Sequence, residues 1–195
     1  MRLYRVFPHD PAARPGAPGH VDYAPPQGKG RWDSPEHYVA RYLAVSPEGA
    51  VGEAFGNLAE WSPAMFEMPG VGRRALAELE APDRLRLFDF DDARNLVSIG
   101  VRPSRVVARD TARTQRLAAE LFESGEWDGV AWWSFHWPDW TNVMLWDAPE
   151  APAPLELRSI ERLDLGATPV QDARAILGRK VGRRAGADRS ISLAA

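Results

Sequence analysis

The sequence predicts an α/β fold of the α+β kind, a compact mixed β-sheet core flanked by helices. Three observations predict it. Short segments rich in β-branched and aromatic residues recur along the chain: LYRVF at 3–7, YVARYLAV at 38–45 and GVAWWSFHW at 129–137. Between them lie segments with apolar residues at helical spacing, over 47–61 and 110–124. The 195 residues, 45% hydrophobic and 26% charged, suit one domain able to bury a core.

Taken in order, Leu3 to Phe7 is a strand, with Leu3, Arg5 and Phe7 on one face and Tyr4 and Val6 on the other. Arg5 then lies either in solvent on an edge strand or inside a polar cleft, since an unpaired arginine on an inner face is costly. Residues 8–30 form a long loop, rich in Pro and Gly and without periodicity. Residues 38–45 are a strand that ends at Ser46-Pro47. Ser as N-cap, Pro at the first helical position and Glu48 in the first turn start a helix there. It is expected to run to about Trp61, with Ala50, Val51, Ala54, Phe55 and Leu58 as its apolar stripe. Gly49, Gly52, Glu53 and Gly56 fall on the opposite side. Each Gly costs a helix interior up to about 1 kcal/mol relative to Ala, so this face suits the close approach of a ligand or another backbone. Glu53 would be the functional side chain projecting from it, or a solvent-exposed Glu on a poor helix.

Residues 62–72, with Met65, Phe66 and Met68, are a site cover or a packed connection. Residues 74–87 read as a poor helix or turn leading into the strand LRLFDF, and Asp91 or Asp92 as a helix cap. A short helix at 92–99 and a connection or short strand at 103–109 precede the helix at 110–124, whose apolar side carries Leu117, Ala118, Leu121 and Phe122. The strand at 129–137 pairs as a hairpin with 143–146 across a turn at 138–141. After a Pro/Ala linker come a last strand at 155–165 and a short helix at 170–177. The polar stretch 178–195 is expected to be frayed. Residues 1–165 are thus the main body, and 166–195 a short helix and flexible tail of the same domain.

Composition excludes several function classes. A net charge of −3 gives no basic surface for nucleic acid. The absence of Cys rules out disulfides and thiolate metal sites. His9, His20, His37 and His136 lack metal-ligand spacing, so no metal is expected. The start MRLYRVFPHD carries no apolar signal segment, and no run of 18 apolar residues spans a membrane. A soluble cytoplasmic protein is expected, with a homodimer left open.

The chemistry concentrates between Gly28 and Phe55. Arg31, Tyr42 and Glu53 are eleven positions apart in each step. A guanidinium, a phenol and a carboxylate can hold an anionic nucleotide and support a developing cation. The GKG before Arg31 could bring backbone close to an anion. Ser134, His136 and Asp139 make no hydrolytic triad: residues two apart on a strand are about 6.5–7 Å apart, and no strained Gly-x-Ser-x-Gly turn surrounds Ser134. No G-x-G-x-x-G follows a strand, which argues against a Rossmann site. The four Trp between 132 and 140 are read mainly as packing, with one indole free to stack a ligand ring. A non-catalytic module that holds a nucleotide, glycan or protein partner is the competing class.

LYRV near the start, GRW, YLAVSPEGAVGE, TARTQRLAAELFESGEWDGVAWWS and the following Asn142 resemble the RES domain family over roughly residues 2–165. The resemblance implies a fold similar to ADP-ribosyltransferases, NAD+ as substrate and no metal. It implies a toxin paired with an Xre-type, DNA-binding antitoxin. The reaction implied is cleavage of the nicotinamide–ribose bond, as a glycohydrolase or phosphorylase, or transfer of ADP-ribose to a protein. Arg31, Tyr42, Glu53 and Ser134 take the family's catalytic positions. Arg5, Arg31, Tyr42, Ser134 and Asn142 take the NAD+-binding ones. Asp33 stands where Asn is common in the family, and Phe135-His136 follow Ser134 in place of a nearby Arg.

Overall fold

The computed structural model describes residues 1–106, 111–149 and 152–182. Its central feature is an eight-stranded mixed sheet with helices against it, as the sequence predicts. The strands are β1 (Arg2–His9), β2 (Val39–Ala44), β4 (Glu67–Met68), β5 (Gly72–Glu80), β6 (Leu87–Asp89), β7 (Gly129–Trp133), β8 (Thr141–Asp147) and β9 (Glu156–Arg162). Their order is β4-β5-β1-β2-β8-β7-β6, with β9 also paired to β5. The pairings are antiparallel apart from β6 with β7, which is parallel.

The alternation read for β1 holds. Leu3 and Phe7 are buried in one apolar cluster with Leu43, Ala77, Leu79 and Leu145. Tyr4 and Val6 face another, built from α1 (Pro47–Phe55) and α5 (Thr168–Ile176). A third cluster joins Trp32, Tyr38, Phe88, Phe90, Val130, Met144 and Trp146 to Ala118 and Leu121 of α4 (Thr111–Glu123). Leu117 and Phe122 pack on it too, so the apolar stripe of α4 is as expected.

The three largest differences from expectation each have a tertiary reason. The largest difference is β5. Residues 73–80 (RRALAELE) have helix-favouring composition, yet they form a strand between β1 on one side and β4 and β9 on the other. The run Ala75, Leu76, Ala77 is buried on both faces, and pairing with β1 from Arg2↔Glu80 to His9↔Arg73 overrides local preference. Second, α1 ends at Phe55 instead of continuing to Trp61. Trp61 lies in β3 (Glu60–Trp61), and its indole Nε1 folds back to donate to the Phe55 carbonyl at 3.2 Å. Arg179 Nη2 donates to the Gly56 carbonyl at 2.6 Å. Together they satisfy acceptors that a longer helix would have bonded internally. Third, β7 ends at Trp133: the Ser134 N–H still donates to the Trp140 carbonyl at 2.7 Å, but the Trp140 N–H turns to the Trp137 carbonyl at 3.0 Å, closing a tight 134–140 loop.

Two shorter elements also differ: residues 103–106, expected as a connection or short strand, form a helix, and residues 180–181, expected to fray, form a strand. Asp92 caps α2 (Ala93–Ser98), accepting from the Arg94 N–H at 2.8 Å. Residues 62–72 are a packed connection, with Phe66 fully buried against Phe55 and Trp61. After α5, Lys180–Val181 form β10, parallel to β3, inside the stretch expected to fray. Residues 183–195 lie outside the described residues, as do 107–110 of the connection after α3 (Pro103–Val106).

The site is positioned by a split in the sheet. β1 and β2 share a single register pair, Tyr4↔Ala44, and then diverge. The 10–38 loop enters the gap. Arg5 donates to the Val21 carbonyl (2.9 Å) and the Tyr23 carbonyl (2.8 Å), while Arg41 donates to the Asp22 carbonyl between them. Gln27 Oε1 accepts from the Ala40 N–H at 2.9 Å, replacing a strand partner that β1 no longer supplies.

Candidate active site

The cleft opened by this split has a volume of about 380 Å³, within the range of small-ligand pockets. Arg5 and Val6 line one side, Ala40, Tyr42 and Leu43 the other, and Gln27, Gly30 and Asp33 of the loop lie across it. Ala50, Glu53 and Ala54 of α1, with Trp132 and Asn142, complete it. Arg5 is therefore neither in solvent nor on an edge strand. Burial lowers its guanidinium pKa to about 10, and the nearby Arg41 charge acts in the same direction.

Glu53 is the convergence point. Ser46 caps α1 by accepting from the Gly49 N–H at 3.1 Å and Pro47 fixes the first turn, which sets the rotation that turns Glu53 toward the cleft. Its Oε1 accepts from Ser134 Oγ at 2.5 Å and from Asn142 Nδ2 at 2.9 Å. Ser134 is itself held, accepting at Oγ from the His136 N–H (3.0 Å) and the Trp137 N–H (3.4 Å). The tight loop after β7 thus serves to aim one hydroxyl. One carboxylate oxygen is thus fixed, and among the described residues Oε2 accepts no hydrogen bond.

Tyr42 lines the cleft and is held through its hydroxyl. Its Oη donates to Asp33 Oδ1 at 2.7 Å and accepts from the Trp32 N–H at 2.9 Å. Burial pushes the phenol pKa up, and the Asp33 carboxylate adds to this, so it stays protonated. Asp33 Oδ2 also accepts from the Gly28 and Gly30 N–H groups, each at 2.7 Å. From α4, Gln115 Nε2 donates to the carbonyls of the same two glycines. The GKG turn is gripped through its donors by Asp33 and through its acceptors by Gln115. Gly30 must be Gly, because a Cβ there would collide with the Asp33 carboxylate and the Tyr42 hydroxyl. Sequence reasoning missed Asp33 and Gln115. Asp33 stood out in the sequence only as a departure from the Asn common in the family, without a role.

Tyr42→Phe is expected to destabilise the protein by roughly 1–3 kcal/mol, because the buried Trp32 N–H and Asp33 oxygen both lose their partner. Urea denaturation of the two proteins checks this; equal midpoints would contradict it.

Arg31 sits at the edge of the same loop. Its Nη1 donates to the Val106 carbonyl at 2.7 Å, and Gly30 and Asp33 line the cleft, not Arg31 itself. Burial lowers its pKa, while Tyr42 and Glu53 oppose that shift, so it lies within electrostatic reach of both. The glycine face of α1 is also occupied, by the protein itself. Gly49 and Gly52 pack on the Trp140 indole and Gly56 on the His136 ring, where a ligand or backbone was expected. Ser134, His136 and Asp139 form no hydrogen-bonded triad. Among the described residues, no group of three or more His, Asp or Glu is placed to hold a metal, and no helix is long and apolar enough to cross a membrane.

A family model described as the RES domain matches residues 2–166. The chain belongs to the RES domain family. Among solved structures it is similar to a chain of the M. tuberculosis MbcT–MbcA toxin–antitoxin complex. That likeness has a TM-score of 0.56 at 21% sequence identity and covers 89% of this chain and 88% of that one. At that identity the likeness is one of fold. No curated protein matches. In this RES domain α5 and β10 lie after the matched region, yet α5 buries Val170 and Ala173 against the helix that carries Glu53.

Proposed function

We propose that this RES domain cleaves NAD+ at the nicotinamide–ribose bond and acts as the toxin of a toxin–antitoxin pair. The observation that carries the reading is Glu53, at the wall of the sheet-split cleft, with one carboxylate oxygen fixed by Ser134 and Asn142 and the other accepting no hydrogen bond from the described residues. Breaking the bond sends its electron pair to the nicotinamide ring nitrogen, which leaves neutral, and leaves oxocarbenium character on the ribose carbon. A preorganised carboxylate lowers the energy of that cation and accepts from a ribose hydroxyl. The neutral leaving group needs no strong general acid. Arg31 and Arg5 supply positive charge for the pyrophosphate, and Tyr42 and Asp33 hold the loop that bounds it. Asn142 and Ser134 orient Glu53 and meet the nicotinamide-ribose half.

The reaction ends when an acceptor takes the ribose carbon: water, inorganic phosphate or a protein nucleophile. On the loop that follows Ser134, Phe135 and Trp137 are exposed large apolar residues. They favour a protein surface docking beside the site, either an antitoxin or a protein acceptor of ADP-ribose. Family membership and the likeness to a chain of a toxin–antitoxin complex support the toxin role by analogy of fold. The test is to incubate the pure protein with NAD+ and follow free nicotinamide, with and without phosphate. Nicotinamide release is expected, and the coupled product (ADP-ribose, its 1-phosphate or labelled protein) names the acceptor. No release under any condition would leave a binding module.

A further inference from the structure

Asn142 lies on β8 with only 3% of its surface exposed, yet it lines the cleft. Its Nδ2 donates to Glu53 Oε1 at 2.9 Å. A carboxylate oxygen only accepts, so this contact fixes which end of the amide is nitrogen. The other end, Oδ1, is buried and has no hydrogen-bond partner among the described residues. Buried acceptors in native proteins are nearly always paired, and an unpaired one at a pocket calls for an explanation. Its neighbours do not supply one: Ser134 Oγ donates to Glu53, and Trp132 and Ala44, its strand partners, offer backbone that the ladder already uses.

We propose that Asn142 is a specificity-determining residue whose Oδ1 accepts a hydrogen bond from an N–H or O–H donor on the nicotinamide-ribose half of the substrate. The proposal rests on the NAD+ reading of the site and adds a requirement to it. Two groups on that half carry such a donor, the carboxamide NH2 and a ribose hydroxyl. The orientation is enforced by Glu53: while Glu53 is ionised the amide cannot turn, so the pocket offers an acceptor and rejects a ligand that presents another acceptor or a methyl group there. A site that hydrogen-bonds a substrate N–H or O–H discriminates strongly against an analogue lacking it, because the protein's own polar atom is then left unpaired.

The experiment compares kcat/KM for NAD+, for its 3-acetylpyridine analogue, in which a methyl replaces the carboxamide NH2, and for NAD+ lacking the 2′-hydroxyl of the nicotinamide ribose. Each is measured in the wild type and in Asn142→Leu, with rates corrected for the analogues' uncatalysed cleavage. The wild type is expected to prefer NAD+ over one analogue by about tenfold or more, and that preference is expected to fall to within about twofold in Asn142→Leu. Loss of the acetylpyridine preference assigns the carboxamide; loss of the deoxy preference assigns the hydroxyl. If both preferences survive the substitution, or the wild type has neither, the proposal fails while NAD+ cleavage stands. If the wild type neither binds nor consumes NAD+, both fall together. Should Asn142→Leu not fold, Asn142→Ser, a smaller change, is measured in its place, and the wild-type series alone still overturns the proposal if it shows no preference.

Discussion

Glu53→Gln is expected to lower NAD+ consumption by about 100-fold or more while the protein stays folded. The side chain is exposed, so no core packing is lost. Glutamine keeps the shape, and its carbonyl oxygen can still accept from Ser134 and Asn142. What it loses is the negative charge aimed at the ribose, and with it the stabilisation that grows as the nicotinamide bond stretches. Because that charge acts mainly in the transition state, kcat should carry most of the loss and KM little. Nicotinamide release at saturating NAD+, beside a thermal melt of each protein, separates the two effects. A turnover equal to wild type would remove Glu53 from the chemistry. A lower melting temperature with lost activity would assign it a structural role.

How far the sequence foretold this site depends on whether a residue's partners are near it in the chain. Ser46-Pro47 start α1 by contacts within three residues, so the placement of Glu53 one turn further on was legible. The side-chain alternation of β1 was legible for the same local reason. That Ser134 would meet Glu53 came from the family pattern; nothing in the local sequence around 134 contains it. Arg5 was undecidable from its strand alone, because its partners Val21 and Tyr23 sit on a loop whose path has no periodicity. β5 was misread because alanine, leucine and glutamate favour a helix locally, and only its flanking strands make the extended form win. Equal spacing of Arg31, Tyr42 and Glu53 along the chain does not by itself say how they meet, because each sits on a different element. Tyr42 and Glu53 share the cleft, whereas the Arg31 guanidinium bonds the Val106 carbonyl.

Gly52 shows the same lesson in energetic terms and gives the second large effect. The sequence correctly marked the glycine face of α1 as a place of close approach but could not say what approaches. The answer is Trp140, 4% exposed, whose ring edge lies where a side chain at 52 would start. An added Cβ would be 2.6 Å from Trp140 Cη2 and closer still to Cζ3. Alanine is worth up to about 1 kcal/mol over glycine within a helix, so on an open face Gly52→Ala would stabilise. Overpacking against a rigid indole costs about 1–3 kcal/mol and reverses the sign. The damage should also reach catalysis. Glu53 is the next residue, and the Trp140 carbonyl holds the Ser134 N–H, so separating α1 from the 134–140 loop pulls apart the Glu53–Ser134 pair. Gly52→Ala is therefore expected to lower the urea midpoint and NAD+ turnover together. Combining it with Trp140→Leu, which removes the offending ring, should give a smaller loss than the two single changes summed. Additive losses would mean that the helix and the loop do not compete for that space.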